Sequence, residues 1–254
     1  MKFTYLEYER LIYFLLDNGY TVTGYDNYRH VEYPVILRHD IDTSLDKAVK
    51  MAELENSIGG GQIRSTYFVL ISSDFYNVFS KHSLECIYRI RELGHIIGLH
   101  FDEKKYIPTG KSWKKELLME NILQEKKILE EMTGININSV SMHVPSKMTL
   151  QADLKIPGMI NSYSREFFEE FKYVSDSFHR WREDVRDVVT NTKPKRLHVL
   201  THAFWYNDKP MTRNESIRDY IQEGEKYRYG LVEANILPPG IKLTDCFIDK
   251  SGDV

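Results

Sequence analysis

The sequence predicts an α/β protein built on a parallel sheet. Two observations carry this. Strand-like apolar runs alternate with amphipathic helical stretches in the order β-α-β-α-β-α-β up to about residue 150, the spacing of βαβ units. The chemistry-bearing residues also collect where those strands end: Asp40 and Asp42, His100 and Asp102, His143, Asp176 and His202. Ligands of parallel α/β folds bind outside the carboxyl ends of the strands, so one shared site is expected there.

The elements come in order along the chain. Thr4 and Glu7 have capping-box spacing, Leu11, Ile12, Leu15 and Leu16 recur at helical intervals, and Asn18-Gly19 closes that helix. "YPVILRH" reads as a strand. Thr43 or Ser44 can cap the next helix, whose apolar face is Leu45, Ala48, Val49 and Ala52, with "IGGG" at its end. "STYFVLI" is rich in β-branched and aromatic residues and reads as the second strand. "SLECIYRIRELG" is helical, "HIIGLH" a short strand, "SWKKELLMENILQEKKILEEMTG" a long amphipathic helix and "SVSMH" a further strand. Beyond residue 150 the rhythm weakens: "MINSYS", "KYVSDS" and "LHVLTHAFW" read as strands and "NESIRDYIQEGEKYRYG" as a helix. Gly59 to Gly61 and the "GKS" at 110 to 112 lack the rest of a phosphate-loop pattern and read as turns.

Composition narrows the function classes. The 254 residues suit one domain, expected to span 1–254 with its motifs between about 33 and 206. Net charge is −3, which gives no basic surplus for nucleic acid. Cys86 and Cys246 are the only cysteines, too few for a disulfide framework; Cys86 reads as a small buried hydrophobe. The N-terminal stretch is broken by Glu7, Glu9 and Arg10, unlike a signal peptide, and no apolar run reaches the ~18 residues of a membrane span. A cytoplasmic protein without a membrane span is the expectation, with no oligomeric state implied. The 17 tyrosines suit either a core or a sugar-binding cleft.

Asp40 and Asp42, two apart on a strand, project to one side. Two carboxylates so placed repel unless a cation or a proton separates them. Either a divalent metal takes one Asp as ligand and leaves the other as a base, or Asp42 caps the helix and Asp40 pairs with Arg38. In "GHIIGLHFD", Gly98 and His100 share a face, so His100 reads as functional and His95 as structural. Histidine with carboxylate suits zinc and related divalent ions. His143 closes the strand before Pro145, and is read evenly as structural or functional. His202 stands beside Phe204, Trp205 and Tyr206, an aromatic wall suited to sugar stacking, and imidazole can serve as a general acid.

The ordered set "ILRHDID", "STYFVL", "GHIIGLH", a strand ending at 143, "YVSDS" and "VLTHAFWY" resembles the polysaccharide deacetylases, metal-dependent carbohydrate esterases, in a branch with a His-Asp-x-Asp first motif. The resemblance implies a distorted (β/α) barrel of about seven strands and a divalent metal, zinc foremost. It implies Asp40 as general base and Asp42 as metal ligand, an assignment that the spacing leaves reversible. It further implies His100 as ligand, His202 as general acid and Asp176 as the carboxylate that orients catalytic groups. The activity implied is hydrolysis of an N-acetyl or related acyl group on a sugar or surface-polysaccharide precursor. A hydrolase of non-sugar C–N bonds and a non-catalytic carbohydrate binder are the alternatives. The chain departs from the family at Lys104, where a second ligand histidine is usual, and at "SMHVPS", where an arginine is usual. His143 is the expected replacement ligand and Arg38 the expected replacement arginine.

Overall fold

The computed structural model describes residues 1–107 and 113–243; the "GKS" at 110 to 112 and Cys246 lie outside the described residues. The chain separates into two compact units, residues 1–209 and 210–254.

The first unit opens with α1 (Tyr5–Asp17), capped by Thr4, whose Oγ1 accepts from the Glu7 N–H. Glu7 does not return the bond of a capping box; its carboxylate pairs with Arg10 and Arg186. Gly19 then turns the chain at φ 84°, a conformation that costs glycine little. A two-residue strand, β1 (Thr21–Val22), precedes β2 (Pro34–Ile41). α2 (Leu45–Ser57) begins at Ser44, whose hydroxyl caps the Lys47 N–H, so Asp42 is free of the capping role. Then come β3 (Thr66–Leu70), α3 (Lys81–Glu92), β4 (Ile96–Phe101), α4 (Lys115–Thr133) and β5 (Ser139–Met142). The later part holds α5 (Lys147–Gln151), β6 (Ile160–Asn161), α6 (Arg165–Glu169), β7 (Lys172–Ser175), α7 (Val185–Thr192) and β8 (Leu197–Thr201).

The strands run in the order β6-β5-β4-β3-β2-β8-β7, every pairing parallel, with β1 added beside the start of β2. Among the described residues no pairing joins β6 to β7, and the sheet forms a half-barrel. Its curl is visible in one contact. Asp40 on β2 and Ser141 on β5 lie three strands apart, which is about 14 Å in a flat sheet. Yet the Ser141 hydroxyl stands 3.3 Å from Asp40 Oδ1. This is the distorted (β/α) architecture of about seven strands expected from the sequence.

All eight residues of β2 are buried, as befits a central parallel strand covered on both faces. Alternation sorts them. Val35, Leu37 and Ile41 face the helices and join the main core with Leu11, Ala48, Met51, Val69, Leu99 and Val199. Ile36, Arg38 and Asp40 face the inside of the curl, where Ile36 joins Tyr25, Tyr28, Phe68, Phe167 and Phe171 in a smaller aromatic cluster. Gly98 shares that inner face. A Cβ there would meet the Phe68 ring at 2.5 Å and Ser139 Oγ at 2.8 Å, so the glycine makes room for the ring.

In the second unit, α8 (Arg213–Asn235) starts from a complete capping box of Thr212 and Glu215. It runs five residues past Gly230, the end expected from the sequence, because neither Gly224 nor Gly230 leaves the helical conformation. α5, α6 and α7 and the short β1 were not anticipated; at two to eight residues each, they are too short to show a period. Among the described residues no helix is long and apolar enough to cross a membrane.

Candidate metal and acid–base site

The carboxyl ends of β2, β4, β5, β7 and β8 deliver the site. Asp42 follows β2, His100 lies within β4, His143 follows β5, Asp176 follows β7 and His202 follows β8. Asp42 Oδ1 lies 3.1 Å from His100 Nε2 and 3.2 Å from His143 Nδ1, and the two imidazole nitrogens are 3.2 Å apart. The three atoms form a nearly equilateral triangle. One face of a tetrahedral zinc site has edges of about 3.3 Å when the metal–ligand bonds are about 2.0 Å.

Hydrogen-bond accounting favours a cation in that triangle. His100 Nδ1 is 3.3 Å from the Ser141 carbonyl, which can only accept, so Nδ1 carries a proton, and in the neutral ring Nε2 turns its lone pair inward. A carboxylate oxygen and two imidazole nitrogens then converge, and they repel unless a proton or a cation stands between them. The donor set, one carboxylate and two histidines, suits a divalent transition metal. With protons there instead of a cation, burial works to raise the Asp42 carboxyl, but hydrogen bonds donated by His100 and His143 hold it well below the usual range. The bond to Asp42 is the main cause that lifts His143 above its ordinary value, against the opposing effect of burial.

Asp40 sits beside the triangle, its Oδ2 3.7 Å from His100 Nε2. Arg38 grips it bidentately, Nε on Oδ1 at 2.9 Å and Nη2 on Oδ2 at 2.7 Å. Burial pushes the Asp40 carboxyl up, and Arg38, with a smaller effect from His100, brings it net below the ordinary value. The same Arg38 nitrogen reaches Ser141 Oγ and, at 3.2 Å, Tyr163 Oη, and the guanidinium carbon lies 4.6 Å from the Tyr163 ring centroid. Both sequence readings of "RHDID" are thus partly realised: Asp40 does pair with Arg38, and Asp42 is left to the histidines.

On the other side His202 Nδ1 donates to the fully buried Asp176 at 2.7 Å, and the His202 backbone N–H donates to both of its oxygens at 3.1 Å. This fixes the ring and turns Nε2 toward Asp42, 3.8 Å from Oδ2. Burial disfavours the imidazolium, but Asp176 outweighs it and lifts His202 to about 9.

Lys104 is exposed on a short 3-10 turn after Asp102, whose carboxylate accepts the Lys104 N–H. His95 lies on the helix-facing side, donating to the Ala52 carbonyl. The aromatic wall needs one correction. Tyr206 is fully buried and packs edge-on to Tyr8 and Phe3; only Phe204 and Trp205 are partly open. The exit from β8 explains it, since a 3-10 turn there carries Tyr206 back under the core. Two polar contributors were missed. Ser141 could have been found, because it is two residues before His143 on the same strand face. Tyr163 carried no signal; it reaches Arg38 only through the curl.

No protein-family profile matches this chain, and no curated protein does. Solved structures similar to it include a polysaccharide deacetylase from Bacillus cereus, 16% identical over 76% of this chain and 87% of that one, with a TM-score of 0.44. The carbohydrate-esterase-4 domain of a multidomain xylanase from the hindgut metagenome of Trinervitermes trinervoides is 14% identical over 82% of this chain and 94% of that one, TM-score 0.40. A pseudoenzyme of the same esterase family from Bacillus anthracis is 13% identical over 77% and 62% of the two chains, TM-score 0.42. At such identities the chemistry rests on the residues of the site itself.

Proposed function

We propose that this chain is a metal-dependent hydrolase that removes an N-acetyl or related acyl group from a sugar. The observation that carries the reading is the triangle of Asp42 Oδ1, His100 Nε2 and His143 Nδ1, flanked by an arginine-held carboxylate and a carboxylate-held imidazole. Those three residues would hold the ion, with zinc the best match to the donors. When bound, a divalent cation there supplies Lewis-acid polarisation of an acyl carbonyl and acidification of water.

The chain's own residues do the rest. Asp40, fixed by Arg38 and adjacent to the triangle, accepts the proton of the attacking water. His202, oriented through Nδ1 by Asp176, presents Nε2 for protonation of the leaving amine. A cavity of about 400 Å³ lined by Leu150, Gln151, Tyr163, Arg165, Phe168 and Glu169 opens beside Tyr163, the residue that touches Arg38. Its stacked Tyr163 and Phe168 rings, 5.3 Å between centroids, suit the apolar face of a sugar.

The test is acetate release from a panel of N-acetylated sugars and small amides by chelator-stripped protein, with zinc or cobalt added back. Restored turnover on sugars, lost in His100→Ala and His143→Ala, is the expected result. Absence in calorimetry of a metal equivalent that His100→Ala removes overturns the reading, and turnover confined to small amides moves it to a non-sugar C–N hydrolase.

A further inference from the structure

A second cluster of soft and hard donors lies outside the proposed active site. Asp46 stands in the first turn of α2 and is largely exposed; His82 and Cys86 stand one turn apart on α3, His82 half open and Cys86 buried. Residues four apart on a helix share a face, which brings both side chains to the α2–α3 seam. His82 Nε2 is 2.9 Å from Asp46 Oδ1 and 3.8 Å from Cys86 Sγ, and all three donor atoms fall within 4.8 Å of one another. Around a tetrahedral zinc the corresponding separations are about 3.4 Å for N to O and about 3.6 Å for N to S. Small rotations of two open side chains, Asp46 and His82, suffice to reach them.

We propose that Asp46, His82 and Cys86 form a second metal site, selective for a soft divalent ion of the zinc and cadmium class, with water completing its coordination from the open side. The local potential points the same way. Burial, and after it the charges of Asp46 and Glu85, push the Cys86 thiol up to about 11. The negative field that opposes a bare thiolate favours a cation beside it, and the ion displaces the thiol proton to solvent on binding. The site shares no residue with the Asp42–His100–His143 triangle, and thiolate gives it a preference the oxygen–nitrogen triangle lacks. An ion held there joins the first turn of α2 to α3.

The experiment is a cadmium titration of chelator-stripped full-length protein, read by the sulfur-to-cadmium charge-transfer band in the ultraviolet. The triangle contains no sulfur and gives no such band. Expected are a saturable band in the wild type, its loss in Cys86→Ser, and a titration shifted to higher cadmium in His82→Ala, a half-exposed position. Asp42→Ala and Cys246→Ser should keep the band, so failure of the hydrolase reading leaves this test intact. No band in the wild type, a band that survives Cys86→Ser, or a titration unmoved by His82→Ala overturns the proposal.

Discussion

Two clusters of histidine and carboxylate sit on opposite faces of the same strand. Inside the curl, Asp42, His100 and His143 meet at the carboxyl end of β2. On the helix side, one residue out of phase, His39 meets Glu55 of α2, with His95 beyond. Residue types barely distinguish them; hydrogen bonds do. Glu55 accepts from Tyr8 Oη at 2.5 Å, from Tyr67 Oη at 2.8 Å and from His39 Nε2 at 2.9 Å. His39 Nδ1 meets Thr201 Oγ1 at 2.5 Å, and His95 is closed by the Ala52 carbonyl and the Ser65 N–H. Every charge there has its partners, and no vertex is open to solvent. The inner cluster instead turns three electron-rich atoms toward one point. A buried pair that is fully satisfied braces the fold, whereas one that lacks a donor leaves room for a cation.

The largest expected effect would separate the two clusters by function. Asp42→Ala should lower metal-dependent turnover by roughly 10³-fold or more, about 4 kcal/mol of barrier. Steady-state kinetics with calorimetry should show the loss of turnover and of one metal equivalent together. Glu55→Ala should do the converse. It leaves His39 and two tyrosine hydroxyls without their buried acceptor and should cost about 3–5 kcal/mol in urea unfolding, while metal stoichiometry persists. If Glu55→Ala abolishes metal binding in protein that is still folded, the clusters are not independent.

The pH dependence of stability sharpens the same contrast. Burial acts to raise the Glu55 carboxyl, but His39 and the hydrogen bonds hold it at about 2, against an ordinary 4.5. A carboxyl depressed in the folded state stabilises fully above its unfolded value, and that contribution fades as pH falls from about 4.5 toward 2. The span corresponds to something on the order of 3 kcal/mol. Urea midpoints should therefore drop across that window in the wild type and drop less in Glu55→Gln.

Gly98→Ala probes the inner face without changing any residue of either cluster. The new methyl meets the Phe68 ring and should cost about 1–3 kcal/mol in chemical denaturation. The smallest effect belongs to Lys104→Ala. An exposed side chain on a surface turn should change stability by less than about 0.5 kcal/mol and leave turnover untouched. A marked loss of turnover would place Lys104 in the chemistry after all.

The two clusters also differ in how far the sequence reveals them. The parallel order, Ser44 as one of two candidate caps, and the shared face of Asp40 and Asp42 come from period and cap chemistry, which are local. The convergence of strand ends is a general rule of parallel sheets, so His100, His143, Asp176 and His202 could be grouped before any coordinates. Glu55 could not. It lies in the last turn of α2 among Glu53, Asn56 and Ser57 and looks like one more solvent-facing acid. Its role depends on Tyr8 from α1, Tyr67 from β3 and His39 from β2, contacts that no spacing encodes. Tyr163 was hidden for the same reason, and Tyr206 was misplaced because a 3-10 turn broke the alternation.

The curl of the sheet gives the inner cluster an unusual kind of address. Its members come from the ends of β2, β4 and β5, with Asp176 and His202 beside them from the ends of β7 and β8, and bending alone brings Asp40 within reach of Ser141. No loop, excised and grafted elsewhere, carries the constellation with it. An engineer could recut the rim segments beyond Asp42, His143, Asp176 and His202 and keep the constellation. Flattening the strands from within, at a place as plain as Gly98, would scatter it with every one of its side chains still present.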